Sequence, residues 1–292
     1  MKLISFEGKT GATIGAIAWS NNAEWIVELP AVNPDIPRCI NQFLEGGEPM
    51  LQLAREALEK AGPSAVYPFG EPIMYPAVPY PSKILCVGLN YADHAAEFGD
   101  PIPDVPVIFN KTLNALIGAD DPILVPKVSQ KVDYEAELVI VIGKRGRYIS
   151  VDEAIGYVAG YCCGNDVSAR DWQLERPGKQ WFIGKTFDTF APIGPWIVTK
   201  DEIENPSALG IKLRLNGQTM QSSNTSNFIF SVPKVVSYVS QVMTLNPGDL
   251  IFTGTPPGVG GGRKPPVFMK PGDIVEVEID KIGTLRNPVR GE

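Results

Sequence analysis

From its first residues the chain alternates short apolar runs with turn residues. LISFEG, TIGAIAW and EWIVELP read as three short strands, each rich in β-branched or aromatic residues and flanked by Gly, Asn or Pro. The period then changes. In MLQLAREALEKAG, Leu51, Leu53, Ala57, Leu58 and Ala61 approximate a helical stripe, and Gly62-Pro63 supplies its stop. Pro63, Pro68, Pro72, Pro76, Pro79 and Pro81 crowd together next, the composition of an extended connector and not of a packed element. These features predict a small N-terminal α+β domain with its connector over residues 1–75 and a larger domain over 76–292.

From Lys83 onward strand-like runs dominate: KILCVG, PVIFN, PILVP, YEAELVIVI, GYVAGYCC, PIGPWIVT, LGIKLRLN, DLIFTG and DIVEVEID. Asn216-Gly217 after KLRL is a strong signal for a two-residue hairpin. Val235, Val236, Val239, Val242 and Met243 mark one amphipathic helix that Pro233 can open. The expected fold class is α+β, mainly β, with mostly antiparallel strands.

Composition narrows the partners. Twenty-six Lys+Arg against 33 Asp+Glu give a net charge of −7, so no basic footprint exists for nucleic acid or an anionic membrane surface. No apolar run approaches the ~18 residues of a spanning helix. The N-terminus lacks both the apolar stretch of a signal peptide and the Arg-rich pattern of a transit peptide. A cytoplasmic chain is the default expectation, or a mitochondrial matrix one if a transit peptide has been removed. Cys39, Cys86, Cys162 and Cys163 form no CxxC pair and are expected to be reduced and buried.

The chain holds one histidine, His94, which excludes a His-rich zinc site, and no GxSxG nucleophile context accompanies it. In DYEAELVIVIG the two-residue period of a strand puts Glu135 and Glu137 on one face, about 7 Å apart. Such a pair repels unless a cation lies between its members; the plainer alternative is a solvated strand end. A second apolar strand ends in Asn165-Asp166, which supplies a third carboxylate or a helix N-cap. Three acids without histidine favour a hard cation held by oxygen: Mg²⁺ or Mn²⁺, with Ca²⁺ as a third candidate. His94 and Glu97 lie three apart, a spacing at which one helical turn pairs imidazole and carboxylate as an acid–base dyad; a surface histidine is the alternative. Lys185 in WFIGKTFD can meet developing negative charge or be a solvated loop lysine. The loop FTGTPPGVGGG lacks a P-loop GK[ST], yet N–H groups around Gly254 and Thr255 can hold a carboxylate, if it is more than a glycine-rich connector.

In order, CVGLNYADHAAE, DYEAELVIVIGK, GYVAGYCCGNDVSARDWQ, GKTFDTFAPIGPW, the Asn-Gly hairpin and GDLIFTGTPPGVG resemble the fumarylacetoacetate hydrolase family across Lys83 to Glu292. The N-terminal module is similar to that of two-domain members, including the oxaloacetate keto-enol tautomerase subgroup. The resemblance implies a mixed β-sandwich roll and a homodimer. It implies metal ligation by Glu135, Glu137 and Asp166, an acid–base dyad of His94 and Glu97, a charge-stabilising Lys185, and substrate contacts from Arg170, Gln173, Gly254 and Thr255. A small 2-oxo acid would chelate the metal and pass through an enolate, most simply in oxaloacetate tautomerisation or decarboxylation. C–C hydrolysis of acylpyruvates is the enzymatic alternative, and an idle metal-binding scaffold the non-enzymatic one. The larger hydrolases of the family carry a fourth carboxylate ligand ahead of the histidine that has no clear counterpart here, so fumarylacetoacetate itself is not the expected substrate.

Overall fold

A computed structural model describes residues 1–20, 23–94 and 101–292. Its strands are β1 (Lys2–Gly8), β2 (Gly11–Ser20), β3 (Ala23–Glu28), β4 (Val66–Pro68), β5 (Ile84–Gly88), β6 (Val107–Lys111), β7 (Leu116–Ile117), β8 (Ile123–Val125), β9 (Val132–Asp133) and β10 (Ala136–Ile142). They continue with β11 (Val158–Asn165), β12 (Ser168–Ala169), β13 (Ala191–Thr199), β14 (Gly210–Leu215), β15 (Gln218–Asn224), β16 (Leu250–Phe252), β17 (Ile274–Ile279) and β18 (Gly283–Gly291).

Among the described residues, one sheet runs β4-β3-β2-β1-β13-β11-β10-β16-β5-β6, with β7 beside β13, and a second runs β15-β14-β17-β18-β8. The second sheet packs on β10, β11 and β13. Most pairs are antiparallel; β16 with β5, β13 with β7 and β18 with β8 are parallel. The fold is thus mainly β and mostly antiparallel, as the strand pattern predicts, and mixed, as the family resemblance implies.

Every residue of β10 is buried, because both of its faces are covered, and Leu138 to Ile142 belong to one continuous core with Val232, Val235, Val236 and Val239 of the helix Val232–Val242. Val242 is the exception in the expected helical stripe: it is exposed, at the end of the last turn where the helix leaves the core. The helix Gly47–Lys60 buries Ala54 and Ala57, so its inner stripe is narrower than its leucines suggest. Asn216 and Gly217 take φ of 52° and 78°, the left-handed pair that a tight hairpin between β14 and β15 requires.

The division at residue 75 is a proposal about units of sequence. In space β1 hydrogen-bonds along β13, Leu3 opposite Ile197, so the N-terminal strands extend the large sheet. The proline-rich connector contributes β4 against β3 and a backbone bond from Tyr75 N to Ser5 O. Cys86, Cys162 and Cys163 are buried thiols, while Cys39 is only half-buried. Among the described residues no helix is long and apolar enough to cross a membrane.

Candidate active site

The site lies where β11 ends beside the start of β10. Ala136 pairs with Asn165, and Asp166 N donates to Glu135 O at 2.9 Å. The ladder therefore delivers Glu135 and Asp166 together, while the two-residue period turns Glu137 to the same face as Glu135. Single carboxylate oxygens of Glu135, Glu137 and Asp166 lie within 4.8 Å of one another, and all three residues are buried. Neither the solvated strand end nor the N-cap is realised.

Cations surround two of these acids. Lys185 Nζ stands 2.8 Å from Glu135 Oε2 and 2.6 Å from Asp166 Oδ2; Arg170 Nη2 is 2.7 Å from Glu135 Oε1; Lys111 Nζ is 2.6 Å from Asp166 Oδ1. Burial pushes the Glu135 carboxyl up, but Lys185 and Arg170 more than offset it and hold it at about 2. Glu137 has the opposite balance. Its Oε2 accepts the Gly254 N–H at 2.7 Å, and no cation among the described residues forms an ion pair with it. Burial, together with the charges of Asp166 and Glu135, raises its carboxyl well above the usual range. Glu137 is thus the one member of the three without an ion pair among the described residues, and the all-oxygen donor set of the three suits a hard cation.

Tight local packing fixes these groups. Lys185 ends the short helix Trp181–Lys185, where it is 2% exposed and not a loop lysine. A Cβ at Gly184 would fall 2.6 Å from the Gln173 backbone, so only glycine lets this helix approach the turn Asp171–Glu175. Lys111 Nζ also donates to Val167 O at 3.0 Å, Phe190 O at 2.7 Å and Lys185 O, tying the segments that carry Asp166 and Lys185. Arg170 Nη1 donates to Gln173 Oε1 at 2.9 Å. Gln221 braces the start of β10, accepting from Ala136 N and donating to Thr255 Oγ1.

His94, Glu135, Glu137, Asp166, Arg170, Gln173, Lys185 and Thr255 line one cavity of about 160 Å³, with Trp181, Phe109 and Leu174 supplying apolar wall. An outer chamber of about 300 Å³ adjoins it, sharing His94, Glu135, Arg170 and Leu174 and adding Lys131, Glu175, Val259, Pro266 and Phe268. His94 is half-buried on a short helical turn anchored by Asp93, whose Oδ2 accepts from Ser223 Oγ at 2.6 Å and Asn227 Nδ2 at 3.0 Å. Glu97, its expected partner, lies outside the described residues. Gly254 does offer its N–H to a carboxylate, but that carboxylate is the chain's own Glu137. A Cβ there would meet Asn90 Cβ at 2.8 Å, and φ is +97°, so glycine is required. A larger hollow of about 500 Å³ between residues 43–51 and 143–145 is lined by mostly exposed charges such as Glu45, Lys144 and Arg145 and brings no buried acids together, so size does not mark the site.

Lys111, Asp133 and Gln221 were not among the expected site residues. Lys111 alone carried a local signal, a lysine closing the apolar run PVIFN.

Residues 83–290 match the model of the fumarylacetoacetate (FAA) hydrolase C-terminal family, and the chain belongs to that family and is one of its enzymes. It is 47% identical over 289 residues to the mitochondrial oxaloacetate tautomerase FAHD2A of Bos taurus, covering 99% of this chain and 91% of that one. A fumarylacetoacetate hydrolase from psychrophilic Exiguobacterium antarcticum superposes with a TM-score of 0.84 at 34% identity, each chain fully covered. A maleylpyruvate hydrolase from Sphingobium sp. SYK-6, solved with manganese(II) and pyruvate, gives 0.81 at 30% identity, covering 100% of this chain and 99% of that one.

Proposed function

We propose that this enzyme interconverts the keto and enol forms of a small 2-oxo acid, oxaloacetate being the preferred substrate, with a divalent cation held by Glu135, Glu137 and Asp166. Mg²⁺ or Mn²⁺ is the favoured ion and Ca²⁺ a third candidate. The observation that carries this reading is the convergence of three buried acids, two cations and the single histidine on one small cavity. Similarity to the tautomerase across nearly the whole chain supports the choice of substrate.

Glu135, Glu137 and Asp166 would hold the cation, which would supply Lewis acidity toward the 2-oxo acid. The protein groups divide the remaining work. His94, at the junction of the inner and outer chambers, moves the proton at substrate C3, with Glu97 as its orienting partner. Lys185 faces the oxygen on which negative charge develops, in a site where burial strengthens its field. Arg170, braced by Gln173, holds the distal carboxylate, and the apolar wall of Trp181, Phe109 and Leu174 keeps water from the reacting carbon.

The outer chamber favours a second reading. Its volume and its Leu174, Val259, Pro266 and Phe268 lining suit the longer acyl group of an acylpyruvate cleaved by C–C hydrolysis. A substrate panel with Mg²⁺ separates the two: faster decay of enol-oxaloacetate is the expected result, whereas release of pyruvate from acetylpyruvate without an effect on the enol supports the hydrolase instead. The proposal includes a homodimer, on the family resemblance, which sedimentation velocity would read directly.

A further inference from the structure

Asp133 is a fourth acid beside the three, and it lines neither chamber. It closes β9, whose partner β12 ends one residue before Arg170. Its side chain is fully buried and saturated by four N–H groups. Oδ1 accepts from Tyr134 N at 2.8 Å and Gly260 N at 2.7 Å; Oδ2 accepts from Gly261 N at 2.9 Å and Arg170 Nε at 2.7 Å. A carboxylate so occupied has no lone pair left for a cation or a substrate proton. Glycine makes the approach possible: a Cβ at Gly260 would fall 1.9 Å from Val267 O and 2.6 Å from Asp133 Oδ1.

We infer that Asp133 is a positioning residue that aims Arg170 at the substrate and locks it in register with the turn Gly260–Gly262. The guanidinium is a rigid planar fork, so holding Nε from behind fixes the directions of Nη1 and Nη2, which point to Gln173 and Glu135 at the cavity. Gly261 and Gly262 line the outer chamber beside Arg170. The cation and the chamber wall therefore move as one unit, and Asp133 sets how well the distal end of the substrate is gripped. This rests on the cavity being the site of 2-oxo acid chemistry.

A double-mutant cycle with oxaloacetate tests it, using Asp133→Asn, Arg170→Met and their combination, each also titrated with Mg²⁺ by calorimetry. Asparagine keeps the shape but turns one acceptor into an NH₂ group that repels the N–H donors. Asp133→Asn should raise KM about tenfold and change kcat less than about threefold, with Mg²⁺ affinity kept within about threefold. The double mutant should be no worse than Arg170→Met, because the effect acts through the guanidinium. Gly261→Ala is the second variant, should Asp133→Asn fail to fold. Its Cβ would stand 3.3 Å from Asp133 Oδ2 and 3.6 Å from Arg170 Cγ, and it should raise KM a few-fold, an effect that disappears in the Arg170→Met background. Effects that multiply, or a loss of kcat with KM unchanged, overturn the assignment and leave the site reading intact. Wild-type kinetics in Arg170→Met overturn both.

Discussion

Two buried acidic sites in this chain, one a single acid and one a group of three, are built on opposite terms. In the N-terminal module Glu28 stands alone: it accepts the Tyr67 hydroxyl at 2.6 Å and pairs with Arg38 Nη1 at 3.3 Å. One charge meets one cation and one neutral donor, and nothing is left over. At the start of β10 three acids converge, and among the described residues Glu137 accepts the Gly254 N–H and forms no ion pair. A single buried acid with its own cation locks structure; three acids brought together, one of them without an ion pair among the described residues, make a donor set that suits a cation. The difference predicts which mutations damage chemistry and which damage only the fold.

The largest effect is expected from Glu135→Ala, Glu137→Ala or Asp166→Ala. Each should abolish turnover and remove measurable Mg²⁺ binding by calorimetry, since a hard cation with two anionic ligands is under-coordinated. Full affinity in any one of them would remove that residue from the ligand set. Next comes Lys185→Met, which should lower kcat and kcat/KM together by about 10²–10³-fold, the scale of losing one preorganised donor to developing charge. A change confined to KM would reduce Lys185 to ordinary substrate binding.

His94→Ala should cost roughly 10²-fold or more in kcat with Mg²⁺ affinity retained, the contribution of a general base; a wild-type rate would reassign the proton transfer. The smallest catalytic effect belongs to the single acid. Glu28→Ala should leave kcat unchanged and destabilise by about 1 kcal/mol, because the Tyr67 hydroxyl loses its acceptor while Arg38, partly exposed, keeps its bonds to Gly11 O and Ala12 O. Thermal unfolding beside steady-state kinetics checks both halves, and a loss of kcat here would erase the contrast between the two sites.

Much of the site was legible because it is periodic or local. The Glu135/Glu137 spacing follows from the strand period, and Asp166 sits at the end of an apolar run. The Asn-Gly hairpin follows from its two left-handed residues. What escaped depends on approach between distant segments. Nothing beside Lys111 in sequence announces that Val167, Lys185 and Phe190 converge on its ammonium, and Asp133 acquires its role from glycines 127 and 128 residues away. The Gly254 N–H, expected to hold a substrate carboxylate, is taken by Glu137, a partner that only the tertiary fold supplies. β18 escaped the strand pattern because its inward positions are Leu285, Asn287 and Val289, and the central one is polar. Asn287 is buried by donating to Gly118 O and Asp121 O, a partnership no periodicity displays.

The central claim is that the three carboxylates serve 2-oxo acid chemistry by holding a divalent cation. The direct measurement is the decay rate of enol-oxaloacetate with the wild-type protein after treatment with a chelator, then after addition of Mg²⁺ or Mn²⁺, with Glu137→Ala carried through the same steps. The account predicts that chelation brings the rate to the uncatalysed value, that either cation restores it, and that Glu137→Ala responds to neither. An undiminished rate in the chelated wild-type protein, or restoration of Glu137→Ala by cation, would contradict it.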